Sequence, residues 1–171
     1  MILCDVHNGI TFIWYNHIVS KRRGQDMNVL MMLTPKSEVT YILDTSTIRS
    51  ALEKIRIHGY TAIPVITKEG TYAGSVSEGD FLWYMVKRQG EGLRDYGTVK
   101  VREILRPDFI PAVTADVRTE ELILRAEEQN YIPVTDDRGT FIGIVTRRTV
   151  IDRLLNAEEY RKIHEEAAGS A

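Results

Sequence analysis

The chain contains two stretches, residues 63–81 and 132–150, that match each other at an offset of 69 positions without a gap. Each stretch opens on Ile-Pro-Val and continues to a Gly-Thr pair, with a second glycine four positions after the first. A self-match at a fixed period indicates that each copy is one structural unit. The chain is therefore predicted to be a tandem duplication whose two copies share one fold.

Each copy carries the same series of local signals. A short helical pattern is stopped by Pro35 in the first copy and by Pro107 in the second. An extended piece follows, and then apolar residues at helical spacing behind candidate N-caps at 45–47 and 114–116. Two β-branched runs around a Gly-containing turn then predict a hairpin, and a last helix follows it.

These signals predict an α/β (α+β) fold built from two pseudo-symmetric β-α-β-β-α repeats. One unit of roughly 60 residues buries too little surface to be comfortably stable alone. Two copies packed sheet to sheet would bury each other's apolar faces. The predicted divisions are an N-terminal extension at 1–26, a first repeat at 27–87, a linker at 88–98, a second repeat at 99–155 and a polar helical tail at 156–171.

The N-terminal extension, residues 1–26, matches neither repeat. One interpretation is an arm that binds a partner or touches a membrane. The other is an upstream extension that is not native, with the natural start at Met27. Residues 21–24 can be encoded by a purine-rich run that resembles a bacterial ribosome-binding site, which favours the second interpretation.

Composition narrows the classes of function. The formal net charge of −2 and a pI near 6.1 lack the basic footprint of a nucleic-acid-binding protein. A single cysteine, Cys4, offers neither a disulfide framework nor a cysteine metal site, and no apolar segment reaches the length of a membrane helix. The lone cysteine fits a reducing, cytoplasmic setting. Since no nucleophile–base pair, metal motif or P-loop is present, we expect a protein that is not an enzyme and has no cofactor.

The duplicated motif resembles the CBS-domain pair, also called the Bateman module. The signature of that family is a hydrophobic strand ending in Pro-Val, a Gly-x-x-x-Gly hairpin and a Ser/Thr-x-x-Asp turn that opens a helix. In this chain the motif stands as AIPV (62–65), Gly70 to Gly74 and SEGD (77–80), and again as YIPV (131–134), Gly139 to Gly143 and TRRT (146–149).

The resemblance implies two clefts between the repeats that bind adenosine-containing ligands. The Pro-Val strand of one repeat would hold adenine, and the Ser/Thr turn of the other would hold ribose and phosphate. Cleft one would comprise Thr40, Tyr60, Thr61, Ala62, Ile63, Pro64, Thr146, Arg147 and Arg148. Cleft two would comprise Ile110, Val113, Asn130, Tyr131, Ile132, Pro133, Ser77 and Asp80.

The charges of the two turns differ. Asp80 can accept both hydroxyls of a ribose, but the neighbouring Glu78 adds negative charge where phosphates would lie, so cleft two suits a weakly charged ligand or none. In cleft one, Thr149 replaces the aspartate, and Arg147 and Arg148 stand at the predicted start of a helix. Guanidinium groups beside free backbone N–H donors form an anion site. Cleft one is therefore the favoured site.

A narrower resemblance follows from GYTAIPV (59–65) together with Thr-Arg-Arg (146–148). These segments are similar to the small stand-alone CBS proteins of Gram-positive bacteria that act as cyclic di-AMP receptors. The resemblance implies a regulatory module that senses cyclic di-AMP and signals to a partner protein, with a homodimer formed through the long helices. The alternatives are a sensor of AMP, ADP or ATP that uses Asp80, and a scaffold that binds no ligand.

Overall fold

The computed structural model describes residues 28–88, 97–106 and 108–156. The predicted arm at 1–26, residues 89–96 of the linker and residues 157–171 of the tail lie outside the described residues. The strands are β1 (Thr34–Pro35), β2 (Ile42–Leu43), β3 (Ala62–Ile66), β4 (Tyr72–Ser77), β5 (Val113–Thr114), β6 (Tyr131–Thr135) and β7 (Phe141–Thr146). The helices are α1 (Ile48–His58), α2 (Glu78–Lys87), α3 (Thr119–Glu128) and α4 (147–156), with 3-10 turns at Val29–Met31 and Val101–Glu103.

The described strands form two sheets, one ordered β2-β3-β4 and the other β1-β7-β6-β5. In each sheet the parallel pair precedes an antiparallel hairpin, β3–β4 or β6–β7, so the two copies share one topology. This arrangement confirms the predicted α/β fold of two β-α-β-β-α repeats.

The two long helices that precede the hairpins begin differently. The Thr47 side chain accepts a hydrogen bond from the Ser50 backbone N–H at the start of α1, as the sequence predicts for residues 45–47. The corresponding prediction for residues 114–116 is wrong. The hydroxyl of Thr114 donates to the carboxylate of Asp116 instead, and α3 begins after Arg118 without a side-chain cap.

The segment at the start of each repeat packs into the core of the other repeat. Val29 and Met32 are buried in the cluster of the second repeat, whereas Val101 and Ile104 are buried in the cluster of the first. Strand β1 accordingly pairs with β7 across the duplication. Since each core is completed by the other copy, neither repeat holds its full set of apolar contacts alone.

The two hairpins also meet directly. The Tyr72 N–H donates to the Gly139 carbonyl at 3.1 Å, and the Phe141 N–H donates to the Gly70 carbonyl at 2.9 Å. The rings of Tyr72 and Phe141 stack with their centroids 6.0 Å apart. These reciprocal contacts hold the repeats in a pseudo-symmetric pair and so position the residues of the predicted clefts.

Candidate functional site

Strand pairing places each Ser/Thr turn beside the Pro-Val strand of its own repeat. Ala62 lies opposite Ser77 in the β3–β4 hairpin, and Tyr131 lies opposite Thr146 in the β6–β7 hairpin. Both hairpins have the same register because the duplicated segments have the same length. The first turn of α2 and the first turn of α4 are therefore equivalent positions in the two repeats.

The backbone just before each Pro-Val strand holds the start of the following helix. The Thr61 carbonyl accepts the Glu78 N–H at 3.1 Å, and the Asn130 carbonyl accepts the Arg147 N–H at 2.9 Å. In each repeat, one of the N–H groups that a helix leaves free at its first turn is thus satisfied by protein. Thr61 and Asn130 hold the turns in place whatever else they contact.

A buried hydroxyl network joins the two repeats on the side of cleft two. The Ser75 Oγ lies 2.6 Å from the Tyr131 hydroxyl and 2.8 Å from the Tyr72 hydroxyl. The Tyr72 hydroxyl also donates to the Ile110 carbonyl at 2.7 Å. Burial raises the pKa of both phenols, so both stay protonated as donors near neutral pH. Two predicted members of cleft two, Ile110 and Tyr131, are thereby joined to β4, the strand that ends at Ser77.

Asp80 is buried, and both of its carboxylate oxygens have partners. Its Oδ2 atom accepts hydrogen bonds from the Ser77 N–H at 2.8 Å and the Ser77 Oγ at 2.7 Å. Its Oδ1 atom lies 2.5 Å from Nε of Arg106. Sequence reasoning missed Arg106, whose positive charge offsets the acidic groups that led to the expectation of a weakly charged ligand, or none, in cleft two.

The guanidinium of Arg147 donates hydrogen bonds to the C-terminal end of α3. Its Nε atom donates to the carbonyls of Ala126 at 2.7 Å and Gln129 at 3.1 Å, and its Nη2 atom lies 3.4 Å from the Glu127 carbonyl. A cation at the C-terminus of a helix satisfies carbonyls that the helix leaves free and opposes the negative end of the helix dipole. Arg147 therefore has a structural role, and its contact with a ligand stays a prediction.

Arg148, in contrast to Arg147, has an exposed side chain. Its side chain is 90% exposed, and its recorded partner is Asp152 at 3.7 Å, one turn further along α4. The hydroxyl of Thr149 is hydrogen-bonded within the protein, because its Oγ1 lies 2.8 Å from the Thr146 Oγ1. The Thr146 Oγ1 also accepts a hydrogen bond from the Thr149 N–H. The start of α4 thus carries an exposed guanidinium and a neutral pair of threonines.

Several predicted cleft residues can offer only their backbone. The side chains of Ile63 and Ile132 are fully buried in the two cores, and Val113, Pro64 and Pro133 are buried as well. Thr40 is half-buried, and Tyr60 is 42% exposed with its ring stacked on His58 at 5.5 Å. Among the described residues, no hydrogen bond or ion pair joins 60–64 to 146–148, so the two sides of cleft one are not fastened to each other.

The described ranges contain neither a metal-binding cluster nor a membrane-spanning helix. No group of three or more His, Cys, Asp or Glu side chains there is placed to hold a metal ion. None of the helices in that part of the chain has the length and apolar character to span a bilayer.

The sequence profile of the CBS domain matches residues 31–87 and again residues 101–156. The chain therefore belongs to the CBS domain family and contains two CBS domains. A CBS domain-containing protein of Dictyostelium discoideum is 28% identical over 145 residues, which cover 78% of this chain and 96% of that relative.

Two solved structures show the same fold. The CbpB protein of Listeria monocytogenes in complex with cyclic di-AMP superposes with a TM-score of 0.68 at 22% identity, covering 81% of this chain and 98% of that one. CBSX2 in complex with AMP superposes with a TM-score of 0.61 at 25% identity, covering 77% and 98%. The predicted resemblance to CBS pairs, including stand-alone cyclic di-AMP-binding proteins, is confirmed at the level of fold.

Proposed function

We propose that this protein is a cytoplasmic, non-enzymatic sensor that binds cyclic di-AMP in cleft one and signals to a partner protein. The observation that carries the proposal is the exposed guanidinium of Arg148 in the first turn of α4, with Thr149 at the position that is acidic in the other repeat. Phosphate groups bind well at such a place, because the N-terminus of a helix and a free arginine both favour negative charge.

The existing partner of Arg148 does not oppose this role. The pair with Asp152 joins side chains that are 90% and 59% exposed, and pairs of this kind contribute little to stability. Arg148 can therefore turn to a ligand phosphate at small cost. The ring of Tyr60 and the backbone of Ala62 would then serve the adenine on the other repeat, which is the division of roles that the family resemblance implies.

The comparisons support an adenine nucleotide as the ligand, and two classes of nucleotide are candidates. A protein with the same fold, CbpB of Listeria monocytogenes, binds cyclic di-AMP, and another, CBSX2, binds AMP. Asp80 favours the second class, since a carboxylate can accept the hydroxyls of a ribose in cleft two. A sensor of AMP, ADP or ATP is therefore the second candidate, and a scaffold without a ligand is the third.

Regulation would act through the way the two repeats sit against each other. A ligand shifts such an equilibrium only by its differential affinity for the two arrangements. A nucleotide that contacts Tyr60 in one repeat and Arg148 in the other has this property, because its contacts depend on the distance between the repeats. The partner protein would then read the arrangement that the bound state favours.

Isothermal titration of the full chain with cyclic di-AMP, AMP, ADP and ATP tests the proposal. We expect saturable binding of cyclic di-AMP that persists when Asp80 is replaced by alanine. Binding of AMP or ATP alone, abolished by Asp80→Ala, would instead identify an energy sensor that uses cleft two. The absence of heat with all four ligands would favour the scaffold.

A homodimer is the expected assembly. Large apolar side chains are exposed on α2 and at equivalent positions of α4, 69 residues later: Leu82, Trp83 and Val86, and Ile151 and Leu155. Whereas the family resemblance implies contact through the long helices, we propose that α2 and α4 form the dimer interface, because apolar surface of this kind is stabilised by burial against a partner.

Leu82→Glu is expected to convert the dimer to a monomer, since it places a charge in the apolar interface. Light scattering after size-exclusion chromatography measures the mass directly. Ile57→Glu is the matched control, because Ile57 is 74% exposed on α1 and lies outside the proposed interface. Equal masses for the two variants would contradict the proposed interface.

A further inference from the structure

The ion pair with Arg106 occupies the Asp80 carboxylate, which is the group that would accept the hydroxyls of a ribose. The Asp80 side chain is 7% exposed, whereas that of Arg106 is 51% exposed, so the guanidinium reaches a buried acid from the solvent side. Both carboxylate oxygens are engaged, Oδ1 with Nε of Arg106, and Oδ2 with Nη2 of Arg106 and with Ser77. A ligand hydroxyl must displace Arg106 before Asp80 can accept it.

Asp80 belongs to the first repeat and Arg106 to the second, but both lie in the half of the molecule that is built on the core of the first repeat. The position equivalent to Asp80 in the second copy is Thr149, and Thr34 precedes Pro35 as Arg106 precedes Pro107. Both members of the pair are thus threonine in the other half, which folds without them. The fold itself therefore does not require the pair.

The guanidinium of Arg106 packs against an aromatic ring and borders a groove into which it can move. Its Cζ atom lies 3.5 Å from the centroid of the Phe109 ring, a cation–π contact that does not depend on the carboxylate. Beside the ion pair lies a groove of about 520 Å³ whose lining includes Asp80, Arg106, Trp83 and Lys87. The guanidinium can therefore leave Asp80 without displacing packed side chains.

We propose that Arg106 covers the carboxylate of Asp80 and moves to the phosphate of an incoming nucleoside phosphate, whose ribose hydroxyls take its place on Asp80. This inference rests on the second candidate function, in which cleft two binds an adenine nucleotide, and is independent of cyclic di-AMP binding in cleft one. Arg106 is then a specificity-determining residue, and cleft two selects nucleoside phosphates over nucleosides.

The selection follows from the balance of charges. AMP supplies a phosphate that accepts hydrogen bonds from the displaced guanidinium, so one charge-assisted contact replaces another. Adenosine displaces the same guanidinium and offers no anion in return. Removal of Arg106 should therefore weaken AMP and strengthen adenosine, whereas a residue that merely supports the fold would weaken both.

Calorimetric titration of the full chain with AMP and with adenosine tests the proposal, with cleft two identified as the part of the binding that Asp80→Asn removes. We expect the wild-type protein to prefer AMP by at least about tenfold, and Arg106→Thr, which copies the other half, to weaken AMP, to tighten adenosine and to abolish the preference. Lys87→Gln is the control, because it removes an equal charge from the same groove and should retain the preference.

Adenosine binding that is unchanged or weaker in Arg106→Thr would overturn the proposal, as would the absence of Asp80-dependent AMP binding in the wild-type protein. Thermal melting checks that the variants fold, and Arg106→Gln, which keeps a long polar side chain, provides a second test. Cyclic di-AMP titrated into the same samples separates the two claims. Failure of that ligand to bind would refute the function proposed for cleft one and leave the AMP result to stand on its own.

Discussion

Gly143→Ala is expected to lower the free energy of unfolding by about 3 kcal/mol, the upper part of the range for overpacked sites. A Cβ atom at this position would overlap the backbone carbonyl oxygen of Thr34 and would lie 2.9 Å from Cδ1 of Leu33. The obstacle is backbone, which cannot move without separating β1 from β7. Separation of β1 would also withdraw Val29 and Met32 from the core of the second repeat.

Urea unfolding measures the effect, and Gly79→Ala is the matched control. A Cβ atom on Gly79 would have Ser77 Oγ as its nearest contact, at an ordinary 3.6 Å. Since Gly79 lies within α2, alanine there should be neutral or stabilising by up to roughly 1 kcal/mol. Equal stabilities for the two variants would contradict the exchanged packing of β1.

Arg148→Ala is expected to weaken cyclic di-AMP binding by about 10- to 100-fold, the loss of a charge-assisted hydrogen bond or two. Its effect on the free energy of unfolding should stay within about 0.5 kcal/mol, as for other exposed substitutions. Arg147→Ala should instead destabilise the protein. We expect it to lower the free energy of unfolding by about 1–2 kcal/mol, because three carbonyls at the end of α3 lose their donor.

Titration calorimetry and urea unfolding of the same preparations separate the two arginines. Arg153→Ala controls for the loss of one positive charge, since Arg153 is an exposed residue further along α4. A destabilised Arg148→Ala variant, or one that binds cyclic di-AMP as tightly as the Arg153→Ala control, would contradict the role assigned to Arg148.

The duplication made most of the fold predictable. The 69-residue offset fixes the equivalent strands, and the short turns at Gly70 and Gly139 determine the hairpins. What the repeat could not reveal is the exchange of Val29 and Val101 between the two cores. That exchange is a contact over long sequence separation, and the local pattern before each proline is equally compatible with packing on its own repeat.

The candidate site was predictable only in part, for a similar reason. Arg147 and Arg148 are adjacent in sequence and look equivalent, but successive residues of a helix point in directions about 100° apart. One guanidinium therefore reaches the end of α3, while the other faces solvent. Arg106 was missed because its partner Asp80 lies 26 residues earlier and on the other repeat.

The central claim is that one nucleotide contacts both repeats in cleft one, and mapping of backbone amide chemical shifts on addition of cyclic di-AMP tests it most directly. We expect the largest shifts at Thr61 and Ala62 in one repeat and at Arg148 and Thr149 in the other, with small shifts at Ser77 and Asp80. Shifts confined to a single repeat, or centred on Asp80, would contradict the account.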